Sequence, residues 1–360
     1  MLAPICLTHR IHFLCPEDQI WPELASWNGV TPLAPGVLAQ RTINSLDCWI
    51  VRTYYELRMR GAHVTISSTL HGQAINIVDA YRFERKKRLN FHFVVVPRAD
   101  AHGSKLANFV IHQNDCNIKD KEVKVSSIPH WSQPGIIRRS ESRGEFVRVL
   151  AFKGLSENLD ARFKSDDFKE ALNALGVALR VSGLDGQEWA DYSECDIILA
   201  ARNLTEYDAS NKPASKLVNA WFGDVPALLG PEPAYLALRK SDLDFFVVRS
   251  SDDVISAVRR LQGDPAMYKA MVQNGRKRRL EFTDDIIAAR WAEVLNGAAA
   301  AAFDDWQSGP WFRKAKFVTK GILSEAEAKR LHRHRFMTGQ RILDREWEAS
   351  VDAIGATPQN

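Results

Sequence analysis

The chain predicts an α/β protein of two Rossmann-like domains, and three observations carry that prediction. Short apolar runs alternate with helical patterns along most of its length. Helix–glycine–strand junctions recur, as parallel βαβ units require. A segment dense in Pro, Gly and polar residues then divides the pattern in two. The 360 residues suffice for two such domains. Hydrophobic residues make up 45% and charged residues 26%, an ordinary balance for a soluble globular protein. With 48 basic against 44 acidic residues, the net charge of +4 is too balanced for a dedicated nucleic-acid binder. Cys6, Cys15, Cys48, Cys116 and Cys195 are scattered, odd in number and without a CxxC pair. They read as reduced thiols of a cytoplasmic protein, with neither a zinc site nor a disulfide framework. No run of 18 apolar residues exists, and His9, Arg10 and His12 make the start a poor signal peptide.

Residues 1–128 form the predicted first domain. Residues 11–15 read as a strand, followed by a long irregular segment, 16–39. There Trp27, Asn28 and Gly29 offer an aromatic face and an Asn-Gly turn, for a ligand or for packing under a loop. Residues 40–60 read as one helix through Ile43, Leu46, Trp49, Ile50, Tyr54 and Leu57, stopped by Gly61. Residues 64–67 are a strand, and 75–78 a strand or a short helix. The basic run at 82–88 reads as a solvated face, with weak attraction to anionic lipid headgroups as the alternative. Residues 90–96 are a buried strand leading into Asp100 and His102. Polar groups at the carboxyl end of a parallel strand lie on the ligand side of such a sheet. Those two are therefore the acid/base or ligand-binding candidates, against the alternative of a local turn. Strands at 107–112 and 124–127 complete the domain, and 129–144 reads as the interdomain linker.

The second domain, residues 145–297, restarts the pattern. A strand at 146–152 ends at Gly154. A helix over 166–175 is capped by Ser165 and stopped by Gly176, and strands follow at 177–181 and 196–200. Residues 211–235 read as loop, helix, tight turn, buried strand and Gly/Pro loop. Ser210 or Asn211 caps that helix, Pro213 sits in its first turn, and Gly223-Asp224 stops it. Arg202, Lys212 and Lys216 gather around its start, where free N–H groups and cations suit a phosphate. The alternative puts both lysines on a solvated face and pairs Arg202 with a carboxylate. Neither GxGxxG nor a P-loop occurs, which removes support from kinase and ATPase readings. Helices over 254–261, 265–279 and 284–295 close the domain and cross back to the first. Residues 298–360 form a basic helical tail. Between Trp311 and Trp347 it has ten basic and four acidic residues, with Trp311, Phe312 and Phe317 as apolar anchors. Such a tail lies on a membrane interface or packs across the two domains, the second being favoured. Its last ten residues read as frayed.

The stretch LVNAWFGDVPALLG, residues 217–230, resembles the nucleotide-sugar motif of retaining glycosyltransferases of the GT-B fold, the group with a family 4-like C-terminal domain. There a Glu-bearing helix ends in a Gly-x-Pro-Val-type turn and strand. The family pattern has two Glu residues with seven residues between them. The matching positions are Asn211 and Asn219, amides that hydrogen-bond sugar or ribose hydroxyls without supplying charge. The resemblance covers roughly residues 125–295, and the first domain only in outline. It implies two Rossmann-like domains facing a cleft, and a glycosyltransferase that needs neither metal nor cofactor beyond its nucleotide-sugar co-substrate. The donor set is then Gly154, Arg202, Asn211, Lys212, Ser215, Lys216 and Asn219. Asp100 and His102 are the catalytic candidates, and Trp27, Asn28 and Gly29 the acceptor side. The partners implied are a nucleotide-sugar and a glycan, lipid-linked or small-molecule acceptor, with retention of configuration and peripheral membrane contact through the tail. The same plan also fits a sugar-nucleotide epimerase. The two missing Glu residues keep a non-catalytic nucleotide- or sugar-binding regulator open.

Overall fold

The apolar runs assemble into two separate all-parallel sheets in the computed structural model, which describes residues 2–83, 91–116, 124–183 and 186–344. The first sheet contains β1 (Ile11–Leu14), β2 (Val64–Ser67), β3 (Ile75–Val78), β4 (Val94–Pro97), β5 (Phe109–His112) and β6 (Lys124–Ser127), in the order β2-β1-β3-β4-β5-β6. β1, β3, β4 and β5 are buried at every position, as strands covered on both faces must be, whereas the edge strands β2 and β6 are partly exposed. Residues 75–78, open between strand and helix in sequence, are therefore a strand.

Two helices follow β1: α1 (Pro35–Arg41) and α2 (Arg52–Met59). The single helix expected over 40–60 is broken. The chain leaves α1 at Thr42 and re-enters through a π-helical turn, Asp47–Val51, that runs into α2. The Asn44 side chain accepts the Asp47 N–H at 3.1 Å and so competes with the helical bond. The Asp47 carboxylate in turn accepts the indole N–H of Trp21 at 2.9 Å.

The second sheet contains β7 (Val149–Phe152), β8 (Ala178–Val181), β9 (Ile197–Ala200), β10 (Ala227–Leu229) and β11 (Phe246–Val247), in the order β11-β10-β9-β7-β8. Its helices are α3 (Asp166–Ala174), α4 (Gly186–Ala190), α5 (Glu206–Asn211), α6 (Ser215–Phe222), α7 (Pro233–Leu238), α8 (Ser251–Gly263) and α9 (Pro265–Arg278). Ser165 caps α3 by accepting the Phe168 N–H, as its sequence predicts. α6 differs from expectation. Asn211 is the last residue of α5, not a cap, and α6 starts at Ser215 without a side-chain cap, leaving Pro213 in the connection. The end of α6 is as expected. Gly223 closes it, and a Cβ there would lie 2.5 Å from the Tyr192 ring. Between the two sheets, Arg139 and Arg143 close on the fully buried Asp196 at 2.9 and 2.7 Å. Burial raises the Asp196 carboxyl, but these arginines and the Arg148 N–H outweigh it and hold it below its usual range. Residues 139–143 are thus fastened to the second sheet at the start of β9.

The C-terminal helices are α10 (Asp284–Asn296), α11 (Ala298–Ser308) and α12 (Trp311–Met337). α10 returns to the first domain, where Asp284 meets Arg52 at 3.0 Å and Asp285 meets Arg60 at 2.7 Å. α11 covers the first sheet at β3 and β6, with Phe303 edge-on to Phe93 at 5.4 Å. α12 packs across both domains. Its Gly321 approaches so closely that an added Cβ would lie 2.7 Å from Leu106, and just beyond it Asp344 pairs with Arg162 at 2.7 Å. Most of the basic run at 82–88 and the last ten residues lie outside the described residues. Among the described residues, no helix is long and apolar enough to cross a membrane.

Candidate functional site

In each sheet the strand order reverses once, between β1 and β3 and between β7 and β9. The crevice beyond the carboxyl ends of the strands at such a reversal is where doubly wound sheets bind ligands. The loops after β4 and β5 meet the segment after β9 across the domain boundary. Arg98 donates to the Tyr207 hydroxyl at 2.8 Å, and Asn114 donates to the Lys212 carbonyl at 2.7 Å. Gln113 donates to Asp100 at 2.8 Å and to the Asn211 carbonyl. The two carboxyl edges therefore face one another.

A cavity of about 520 Å³ opens at this junction and brings together Asp100, His102 and Lys212. Ala99, just before Asp100, has φ 47°, the left-handed region that non-glycine residues rarely adopt. Such strain costs on the order of 1–3 kcal/mol and collects at sites where a side chain must be aimed. Asp100 shares the Lys212 ammonium with Asp208, at 2.9 and 3.0 Å. Burial pushes the Asp208 carboxyl up, and the Lys212 charge only partly offsets it. His102 Nε2 lies 2.6 Å from Glu325 Oε1 of α12. Burial raises the Glu325 carboxyl, but His102, the Lys105 N–H and the Ser104 hydroxyl outweigh it and keep it below its usual value. A carboxylate only accepts, so Nε2 donates the proton of this contact.

The reversal of the second sheet is flanked by Gly154 after β7 and Arg202 after β9, and neither these two nor Lys216 are among the described residues that line the 520 Å³ cavity. Arg202 forms a two-pronged ion pair with Glu232, with Nε to Oε1 at 2.8 Å. Glu232 is fully buried and precedes α7. Burial alone would lower the Arg202 pKa, but the Glu232 charge raises it above the ordinary value. Lys216 reaches back from α6 to donate to the Lys153 carbonyl at 2.7 Å, over the Phe152 ring. Burial, then the neighbouring Arg202 charge, pushes its ammonium down to about 7.

Gly154 has φ 152°, and a Cβ there would lie 3.1 Å from Lys216 Nζ. Gly154→Ala is therefore expected to displace the Lys216 ammonium and to cost about 1–3 kcal/mol of stability. Denaturant unfolding, together with titration of Lys216 by NMR, checks both effects.

The other sequence-predicted residues are dispersed. Asn219 accepts the Gln133 N–H of the linker at 3.0 Å, and Asn211 donates to the Tyr207 carbonyl within α5 at 2.6 Å. Ser215 lines a separate cavity of about 180 Å³ with Gln113, Asn114 and His130. Trp27, Asn28 and Gly29 are not among the residues lining the 520 Å³ cavity. Trp27 stacks at a tilt on Tyr55 at 4.9 Å, and Asn28 accepts the N–H groups of Val30 and Thr31 at 3.0 and 2.9 Å. Sequence reasoning missed Glu232 and Glu325. Glu232 was legible only as a carboxylate within a rigid Gly/Pro turn, and Glu325 as one of few acids in a basic helix.

No family model matches the chain, and no curated protein matches it. Solved structures do. Sucrose-phosphate synthase from Thermosynechococcus elongatus superposes with a TM-score of 0.51 at 10% identity, over 81% of this chain and 100% of that one. Anabaena HepE in complex with UDP-glucose gives a TM-score of 0.49 at 11% identity, over 80% and 99% of the two chains. A chain of a GtfA/B complex gives 0.45 at 11% identity over 64% of this chain, which spans only 58% of that one. At these identities the likeness is one of fold. The chain has the GT-B fold: two Rossmann-like domains facing a cleft, followed by C-terminal helices.

Proposed function

We propose that this chain is a glycosyltransferase that takes its sugar from a nucleotide-sugar. The observation that carries the reading is the placement of Lys216 and Arg202 at the reversal of the second sheet, on the carboxyl edge that faces the edge of the first sheet bearing Asp100 and His102. In a transfer, the bond from the anomeric carbon to the diphosphate breaks and a bond to an acceptor oxygen forms. The acceptor proton leaves to a base or to the departing phosphate. Charge grows on the diphosphate, so a fixed cation beside it favours the transition state over the ground state. Lys216 is suited to this. Its ammonium is crowded by Arg202 and bonded to one carbonyl, whereas Arg202 is already engaged by Glu232. No metal is assigned a role in this reading, and retention of configuration rests on the sequence resemblance alone.

The test is turnover of UDP-glucose and other nucleotide-sugars by the full chain, together with thermal shift against nucleoside mono- and diphosphates. A bound diphosphate at 100 times its dissociation constant is expected to stabilise the fold by about 2.7 kcal/mol. Stabilisation without turnover of any donor would favour a non-catalytic binder. Turnover without an acceptor, yielding an isomerised nucleotide-sugar, would favour an epimerase.

The position of Lys216 also predicts a pH dependence. With its pKa near 7 in the unliganded protein, Lys216 is charged below pH 7 and loses its proton above it. A diphosphate bound beside it raises that pKa, so binding takes up a proton in the window above pH 7. Affinity for a nucleoside diphosphate is then flat below pH 7 and falls by up to about tenfold per unit above it, as proton linkage requires. Lys216→Arg should flatten the profile, since guanidinium stays charged. Calorimetry in buffers of different ionisation enthalpy reads the proton uptake directly.

A further inference from the structure

The cavity wall formed by α12 carries chemistry that the donor site does not use. Lys329, His332, Arg333 and Phe336 follow helical spacing on one face of α12, and all four line the cavity. His332 is occupied by the Tyr207 hydroxyl at 3.0 Å. Lys212 is neutralised by Asp100 and Asp208. Lys329 and Arg333 differ from both. Among the described residues neither makes an ion pair or a side-chain hydrogen bond, and both sit exposed at the mouth. Among the described residues Asp100 is the one carboxylate lining the cavity, and it is engaged by Lys212 and Gln113. Phe336 and the exposed Tyr81 supply apolar walls.

We infer that this mouth binds a phosphate group, and that the acceptor of the proposed transfer is a phosphorylated polyol, its phosphate held by Lys329 and Arg333 and its hydroxyl directed toward Asp100 and His102. The assignment to the acceptor rests on the transferase reading; the phosphate site itself does not. Two cations four residues apart on a helix suit one anion, and guanidinium matches phosphate oxygens in a two-pronged geometry. A free sugar phosphate and a phospholipid headgroup present the same chemistry here.

The test uses the full chain without any donor. Glucose 6-phosphate and glucose are titrated by calorimetry, and phosphatidylcholine vesicles with and without phosphatidic acid are assayed by co-sedimentation. At least one phosphorylated probe is expected to bind tenfold or more tighter than its neutral counterpart, and the preference should fall with salt. Preference for glucose 6-phosphate alone assigns a soluble source, and preference for phosphatidic acid vesicles a lipid one. Lys329→Ala/Arg333→Ala should lower that preference at least tenfold without changing the melting temperature, since both side chains are exposed. Equal or absent binding of the phosphorylated and neutral probes, or an unchanged preference in the double variant, overturns the inference. Nucleoside diphosphate binding, measured separately, should be the same in this variant and the parent. If the diphosphate binds neither protein, the transferase reading fails while the phosphate preference still stands or falls by its own titration.

Discussion

Arg202→Ala is expected to destabilise the second domain by about 3–5 kcal/mol, because it strands a buried charge. Glu232 is fully buried, and its carboxylate is paired with the Arg202 guanidinium. Without that guanidinium, Glu232 must either protonate or draw the turn before α7 toward water. The midpoint of urea unfolding should fall while the slope stays unchanged, the mark of lost stability without a change in exposed surface. Arg202→Met/Glu232→Gln should recover most of the loss, since removing both charges also removes the desolvation cost. Arg202→Lys should recover less, because a single ammonium cannot reproduce the two-pronged contact. An Arg202→Ala variant that unfolds at the parent midpoint would show that the pair contributes little to the fold. The same geometry bears on function. A guanidinium fixed by Glu232 offers a diphosphate only its residual field, so any loss of nucleotide affinity in Arg202 variants has to be read on the folded fraction.

Most of the strands were legible because burial on both faces leaves a plain apolar signature. NFHFVVV covers β4 except for its last residue, Pro97, while DIILA contains β9 and VPALL contains β10. Termini set by local chemistry were legible too, as at Ser165, Gly176 and Gly223. The break at Thr42 was not, because a periodic apolar pattern continues through it while the Asn44 side chain rewires the backbone. The start of α6 was misplaced for a related reason. Asn211 has the chemistry of a cap, but α5 had already claimed it. At the site, Asp100 and His102 were singled out by their place after a strand, and Lys212 by a helix start that the structure puts at Ser215 instead. Their partners were not. Glu325 lies 223 residues beyond His102, and no local pattern links a carboxylate in a tail helix to a histidine at a sheet edge. Trp27 and Asn28 were legible as a residue pair of ligand-binding type, yet their contacts are with Tyr55, Val30 and Thr31.

The loss of His102 or Asp100 is expected to have the largest effect on turnover, about 10²–10⁴-fold if either acts as a general base or acid. His102→Ala alone is ambiguous. His102 also fastens α12 through Glu325 at 2.6 Å, so its removal unlocks a helix as well as a ring. His102→Gln separates the two roles. A glutamine amide still donates to the Glu325 carboxylate, but has no basic nitrogen to take a proton. If His102 serves the chemistry, His102→Gln loses turnover nearly as fully as His102→Ala, while α12 resists proteolysis as in the parent and nucleoside diphosphate affinity is unchanged. If His102 only fastens the helix, His102→Gln turns over normally, and His102→Ala shares its defect with Glu325→Ala. Asp100→Asn is the parallel change on the other side. It keeps an acceptor for Gln113 and leaves Lys212 paired with Asp208, so a loss of turnover there reports the missing charge rather than a collapsed loop. The anomeric configuration of the product, read by proton NMR, then distinguishes the two chemical roles. A base that draws the acceptor proton for in-line attack inverts the anomeric centre. Retention would leave Asp100 and His102 as groups that hold and orient the sugar, with the acceptor proton passing to the departing phosphate beside Lys216.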